Sequence, residues 1–158
     1  MTTITATRRD GSDVTIDGEA YDAFESNVHG DVITPESDGY DTARSVWNGM
    51  IDKRPALIVK CSGVSDVVNA VRCAREHDLV IAVRGGAHNV AGHGTSDGGL
   101  LIDLSGMKGV RVDPATKTAH AQAGLTWGEF DDETQAYGLA TTGGTVANTG
   151  VAGLALGG

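Results

Sequence analysis

The sequence predicts an α+β fold, one domain or two small subdomains, with a parallel βαβ unit followed by an antiparallel hairpin. Three observations carry this. Two short apolar strands flank an amphipathic helix within about 28 residues, which is a βαβ unit. Two alternating segments around a proline turn follow as a hairpin, and a capping-box signature then opens another helix.

Residues 1–33 are polar and aspartate-rich, with weak alternation at Val14 and Ile16 and a short helix candidate near Tyr21 and Phe24. They read as a weakly determined, variable lead-in. From Thr42 the pattern sharpens. Ala43, Val46, Trp47, Met50 and Ile51 recur at helical spacing, which predicts an amphipathic helix over 42–51, closed by Pro55. Residues 56–61 form a short β-branched run, a strand. Residues 62–78 carry Val64, Val67, Val68, Val71 and Ala74 on one face and Arg72, Arg75 and Glu76 on the other, a second helix. Residues 79–83 are apolar throughout, as expected of a parallel strand buried on both faces. The crossover between the two strands is expected to be right-handed.

Residues 99–104 are a further strand candidate. Residues 110–113 and 118–123 alternate on either side of Pro114, a hairpin with proline early in its turn. Thr126-Trp127-Gly128-Glu129 matches the S/T-x-x-E capping box and predicts a helix from Trp127 to Tyr137, with Gly138 as its stop. Residues 143–158 read as a glycine-rich loop enclosing an apolar stretch.

Composition excludes several classes of protein. Glycine makes up 23 of 158 residues, about twice the usual ~7%, and 17 of the 23 fall after residue 84. No G-X-Y period runs through them and only three prolines are present, which removes collagen and proline-rich linkers. The net charge of −9 offers no basic face for nucleic acid or for an anionic membrane surface. Fifteen of the 21 acids are aspartate and only four of the 12 bases are lysine. That balance suits solubility at high ionic strength, as in a halophilic source, and equally an ordinary acidic protein. No apolar signal segment follows Met1, so the reading is soluble and cytoplasmic. Cys61 and Cys73, both in apolar-periodic segments and without C-x-x-C spacing, read as buried free thiols.

Two glycine segments are candidates for chemistry. The first, residues 84–94 (RGGAHNVAGHG), follows the second strand of the βαβ unit, where ligands of parallel sheets bind. Glycines there let backbone amides approach an anion with no Cβ in the way, which suits a chain of net −9. A tight loop needing glycines at positive φ would read the same way. The second, residues 143–158, has six glycines among small apolar and hydroxyl residues and can lie flat against a planar ligand. Neither is G-x-G-x-x-G, no G-x-x-x-x-G-K-[ST] occurs, and no G-x-S-x-G elbow is present. His88 and His93 lack the partners of a zinc site, so no metal is expected. His29, His77 and His120 read as surface or strand-edge residues.

Taken together, these segments resemble the N-terminal FAD-binding part of the PCMH-type flavoproteins (the p-cresol methylhydroxylase / vanillyl-alcohol oxidase superfamily), in the bacterial and archaeal branch similar to berberine-bridge enzymes. The matching stretches are residues 40–48 (YDTARSVWN), 54–59 (RPALIV), 83–92 (VRGGAHNVAG), 97–104 (DGGLLIDL) and 143–158, in the family's order. The resemblance implies a FAD-binding domain over 34–158, with a first subdomain at about 34–98 and the start of a second at about 99–158. It implies FAD contacts from Arg84, Gly85, Gly86, Ala87, His88, Asn89 and Gly92 around the pyrophosphate. A second set, Gly143, Gly144, Thr145, Val146, Asn148, Thr149, Gly150 and Gly153, would run along the ribityl and ring side.

His88 aligns with the histidine that carries covalent flavin in many members. Val146 stands where some members have a second, cysteinyl link, so a single bond is implied. Ala87 replaces a usual glycine, and if that position needs φ > 0 the alanine costs ~1 kcal/mol. The family's oxidoreductases take a hydride from an alcohol, sugar or similar C–H donor. They continue past this point into a substrate domain that usually supplies the base, so no catalytic residue is assigned here. A truncated, non-catalytic flavin-binding module is the other expectation, with a separately encoded C-terminal remainder as a partner and the small-molecule substrate unknown.

Overall fold

The structure is a computed structural model and describes residues 2–157. It opens with a hairpin of β1 (Ile4–Thr7) and β2 (Asp13–Ile16), followed by α1 (Gly18–Ser26), which the Asp17 carboxylate caps by accepting from the Ala20 N–H. Then come β3 (Asp31–Ile33), α2 (Tyr40–Arg44), β4 (Leu57–Lys60), α3 (Val64–Glu76), β5 (Ile81–Arg84) and β6 (Leu100–Asp103). A second hairpin, β7 (Val110–Asp113) with β8 (Thr118–Ala121), leads to α4 (Trp127–Gln135) and α5 (Val151–Gly157). No helix among the described residues is long and apolar enough to cross a membrane.

The central sheet runs β3-β4-β6-β5. β4 and β5, the two strands of the βαβ unit, are both parallel to β6, which lies between them in register Leu57–Leu100 and Ile81–Leu100. They are therefore not neighbours, and the parallel sheet extends to Asp103. β3 pairs antiparallel with β4 on the outer edge.

Strand alternation sorts the buried side chains onto two faces. Leu57, Val59, Leu100 and Ile102 meet Ala70, Cys73 and Ala74 of α3 together with Ile4, Ala6, Ile16 and Tyr21 from the first 33 residues. That segment is thus part of the core. Ile58, Ala82 and Leu101 face the other way, against Tyr40 and Ala43 of α2. Each aliphatic chain fully removed from water here is worth about 1.5–3 kcal/mol.

Three expectations are corrected. The helix over 42–51 is confined to Tyr40–Arg44. Ser45 turns extended at φ −64°, ψ 143°, and the Trp47 N–H donates to the Ala87 carbonyl instead of continuing a helical ladder. Residues 79–83 are not buried on both faces: Ile81 and Val83 are half-exposed because β5 is an edge strand. Residues 143–158 are not all loop, since Val151–Gly157 is helical; Gly158 lies outside the described residues. The hairpin, by contrast, has its expected strands, and the Thr126–Glu129 capping box is present with both reciprocal bonds.

Candidate functional site

The parallel strands end together at Lys60, Arg84 and Asp103, and the first glycine loop leaves from the end of β5. Its root is a buried ion pair. Arg84 turns its guanidinium inward, donating to Asp103 Oδ2 at 2.7 Å, to the Ala43 carbonyl at 2.6 Å and to the Ser45 carbonyl at 3.1 Å. Burial alone would raise the Asp103 carboxyl, but Arg84 and the Ser105 N–H outweigh it and hold the group below its ordinary value. The Arg84 side chain is therefore committed to the protein interior, and an anion above the loop meets backbone.

Beyond Arg84 the chain turns sharply. Gly85 lies against the Ala123 carbonyl, where a Cβ would come within 2.8 Å. Ala87 adopts φ +60°, so alanine does occupy the left-handed position that favours glycine. Among the described residues, the N–H groups of Gly86, Ala87, His88 and Asn89 donate to no protein carbonyl. Four successive amides without a protein acceptor are available to an anion. The far side of the loop is tied down: the His93 N–H donates to Asn89 Oδ1 at 3.0 Å, and Gly92, at φ +75°, packs on Ile51.

The second glycine loop arrives through α4. The Trp127 N–H donates to the Thr149 carbonyl and the Gly128 N–H to the Ala147 carbonyl, while the Val151 N–H donates to the Leu125 carbonyl. These bonds set Gly150 directly against Gly86. A Cβ on Gly86 would fall 2.6 Å from Gly150 Cα, and one on Gly150 would fall 2.9 Å from Gly86 Cα. The two loops meet backbone to backbone, and a cleft of about 330 Å³ opens beside the contact.

That cleft is lined by Arg84, Gly85, Gly86, Ala87, His88 and Asn89 on one side and by Thr149, Gly150 and Gly153 on the other, all expected from the sequence. His93, Gly94, Leu154 and Gly157 line it from within the two glycine segments, though none was singled out as a contact, and Val83 of β5 lines it from outside them. Gly92 and residues 143–148 lie outside the lining. Gly143 and Gly144 have a packing reason to be glycine, since a Cβ on Gly144 would reach 2.6 Å from the Trp127 ring. Thr145, Val146 and Asn148 are exposed. His88 is half-buried, its imidazole stacked on the Trp47 indole with centroids 5.5 Å apart and planes at 19°.

Two loops packed backbone to backbone beside a cleft, four amides without a protein acceptor and an Arg84 side chain turned inward suit the pyrophosphate of a dinucleotide. Such a site, at the carboxyl ends of parallel strands, defines a nucleotide-cofactor domain. The comparisons say which. A family model described as an FAD binding domain matches residues 55–158, and the chain belongs to that family; its cofactor is FAD.

The chain is similar to (R)-6-hydroxynicotine oxidase of Paenarthrobacter nicotinovorans, at 37% identity over 132 residues covering 84% of this chain and 29% of that protein. Among solved structures it resembles BBE-like 1 of Physcomitrella patens, with a TM-score of 0.77 and 30% identity over 85% of this chain and 30% of that one. It also resembles xylooligosaccharide oxidase of Myceliophthora thermophila, with a TM-score of 0.74 and 30% identity over 84% of this chain and 28% of that one. The chain thus spans about 30% of the length of these relatives. The PCMH-type, berberine-bridge-like resemblance drawn from the sequence agrees with all three.

Proposed function

We propose that this chain holds FAD in the cleft between the two glycine loops and serves an oxidoreductase whose substrate is an alcohol, a sugar or a similar C–H donor. The observation that carries the reading is the Gly86–Gly150 contact, which closes the two loops around one cleft. Two of the relatives support the substrate class, being by name oxidases of a xylooligosaccharide and of 6-hydroxynicotine.

When bound, FAD supplies hydride acceptance, and the protein positions and tunes it. Gly85 and Gly86 let the loop pack against Ala123 and Gly150, and the amides from Gly86 to Asn89 would hold the pyrophosphate. Arg84, locked to Asp103, holds the root of the loop without placing its own charge in the cleft. Thr149, Gly150 and Gly153 form the opposite wall, and residues 143–148 would approach the ribityl and ring portion only as the family resemblance implies.

His88 is the residue we assign to a single covalent attachment. Its ring nitrogen would bond to the flavin 8α-methyl carbon, and the flavin would itself supply the two-electron oxidation that this bond requires. A neutral imidazole is a competent nucleophile for this bond.

The test is reconstitution of the purified chain with FAD. Visible flavin absorbance should co-purify with the wild type and vanish in Gly86→Asp, whose side chain would enter the Gly150 backbone. Colour surviving acid precipitation in the wild type but not in His88→Ala supports the attachment. A chain that takes up no FAD sinks the reading, and acid-stable flavin in His88→Ala sinks the attachment alone.

A further inference from the structure

The segment between α2 and β4 carries an apolar pattern that the core does not use. Trp47 is 63% exposed and Met50 90%, although their spacing is that of a buried helix face. A tryptophan this open to water forgoes most of the hydrophobic gain its size allows, so what it does touch is informative.

It touches the first glycine loop twice. The indole lies nearly parallel to the His88 imidazole, 5.5 Å between centroids and 19° between planes. The Trp47 N–H donates to the Ala87 carbonyl at 3.1 Å. One residue thus grips two successive loop residues, at the turn where Ala87 stands at φ +60°. Its neighbours fasten the same strap: Asn48 Nδ2 donates to the Val90 carbonyl at 2.8 Å, Lys53 Nζ donates to the Gly92 carbonyl at 3.1 Å, and Ile51 backs Gly92. The Trp47 backbone and its neighbours are therefore tied to the loop.

A histidine on a half-open loop otherwise samples several rotamers. A parallel indole covers one face of the ring and leaves the other face and the ring edge free, on a residue that lines the cleft. We infer that Trp47 is a positioning residue for His88, fixing the plane from which a ring nitrogen reaches the flavin; this rests on the reading of His88 as the attachment residue. Trp47 contributes no atom and no electron to the bond. It sets only the geometry in which the bond forms, and small misplacements of a reacting group slow bond formation steeply.

The experiment compares wild type, Trp47→Leu and Trp47→Phe in the full chain. In the flavin-free state, NMR of labelled histidine rings reads the stack directly: the His88 ring protons are shifted upfield by the indole ring current. After a fixed incubation with FAD, acid precipitation reads the covalent share of the bound flavin. In Trp47→Leu the upfield shift is lost and the covalent share falls about tenfold, whereas Trp47→Phe keeps most of both. If Trp47→Leu does not fold, Trp47→Met takes its place under the same two readouts.

A leucine chain that links flavin as fast as wild type overturns the positioning role. So does a phenylalanine chain that fails to link while its His88 protons stay upfield. A wild type with no acid-stable flavin overturns the His88 attachment itself, and the positioning role with it.

Discussion

Gly86 and Gly150 are in backbone contact, with no space for a side chain on either residue. They are 64 positions apart in the sequence, and their approach turns two separate glycine loops into one cleft. Gly86→Ala and Gly150→Ala should each push the loops apart. A Cβ cannot stand where it would meet the opposing main chain, so both variants should lose at least about tenfold in FAD affinity and about 1–3 kcal/mol of stability. Gly63→Ala, with open space around its Cα, is the control. A flavin titration followed by absorbance, together with thermal unfolding, checks the prediction.

Ala87 makes the opposite prediction. At φ +60° it bears left-handed strain of about 1–2 kcal/mol, part of which Ala87→Gly returns as greater freedom of the unfolded chain. The net expectation is a gain of about 0.5–1 kcal/mol, read as a rise of about 1–4 °C in Tm. A fall in Tm would show that the strain is relieved elsewhere in the loop.

Asp66 ties the start of α3 to the turn before β3. It is fully buried. Its carboxylate accepts from the N–H groups of His29, Gly30 and Ser62 and from the Ser62 hydroxyl. Burial alone would raise its pKa, but these bonds outweigh it and hold the group well below the ordinary range. Its folded pKa is depressed, so its contribution to stability is fully present above the unfolded value of about 3.9 and is lost as pH falls below that towards the folded value. Asp103 adds to the same acid loss, its carboxyl being likewise depressed. Denaturant midpoints measured from neutral pH downward should hold until about pH 4 and then fall. Asp66→Asn should be less stable at pH 7 and should fall less steeply below pH 4.

Cys61 and Cys73 are buried in the core around α3, and burial pushes both thiols up to about 11. Little thiolate forms at pH 8, and little reagent can reach it. A thiol-specific chromogenic reagent should leave the native chain almost unmodified over minutes and should titrate two thiols once the chain is unfolded. Fast modification of the native chain would contradict this packing.

Much of the scaffold was legible in the sequence because its signals are local. The second hairpin carries its turn in Pro114 and its alternation on both sides, and Thr126 and Glu129 announce the start of α4 by chemistry that needs only three residues of separation. The misread elements are those that tertiary bonds decide. Residues 45–51 have helical apolar spacing, but the Ala87 carbonyl takes the Trp47 N–H and the side chains clamp a loop. Residues 151–157 mix alanine and leucine with two glycines, and the Leu125 carbonyl fixes the Val151 N–H where the helix starts.

At the site, both glycine loops were visible, and a glycine's identity does not say what it touches. Gly86 and Gly150 meet each other, whereas Gly144 makes room for Trp127. Residue type could not separate a cleft glycine from a packing one. Nor could it show that Arg84, beside the nest, points away from the ligand. His93 and Leu154 lie inside the two candidate segments, but their residue types did not mark them as cleft residues; Asn89 Oδ1 and the Gly150 carbonyl, which accept from their N–H groups, place them there.

The placement of β6 bears on the order in which the molecule assembles. The strand in the middle of the parallel sheet is the last of its strands in the chain, and both parallel ladders depend on it: Leu57 and Ile81 pair with the same Leu100. Until residue 103 is available, β4 and β5 have no parallel partner between them, and the longer closure spans about 40 residues. The apolar surfaces of β4 and α3 must therefore wait, uncovered, for a strand synthesised well after them, a window in which a nascent chain is open to misassociation. The cofactor nest comes later still, because the root of its loop is held by Asp103. Flavin capture is thus expected to follow closure of the sheet.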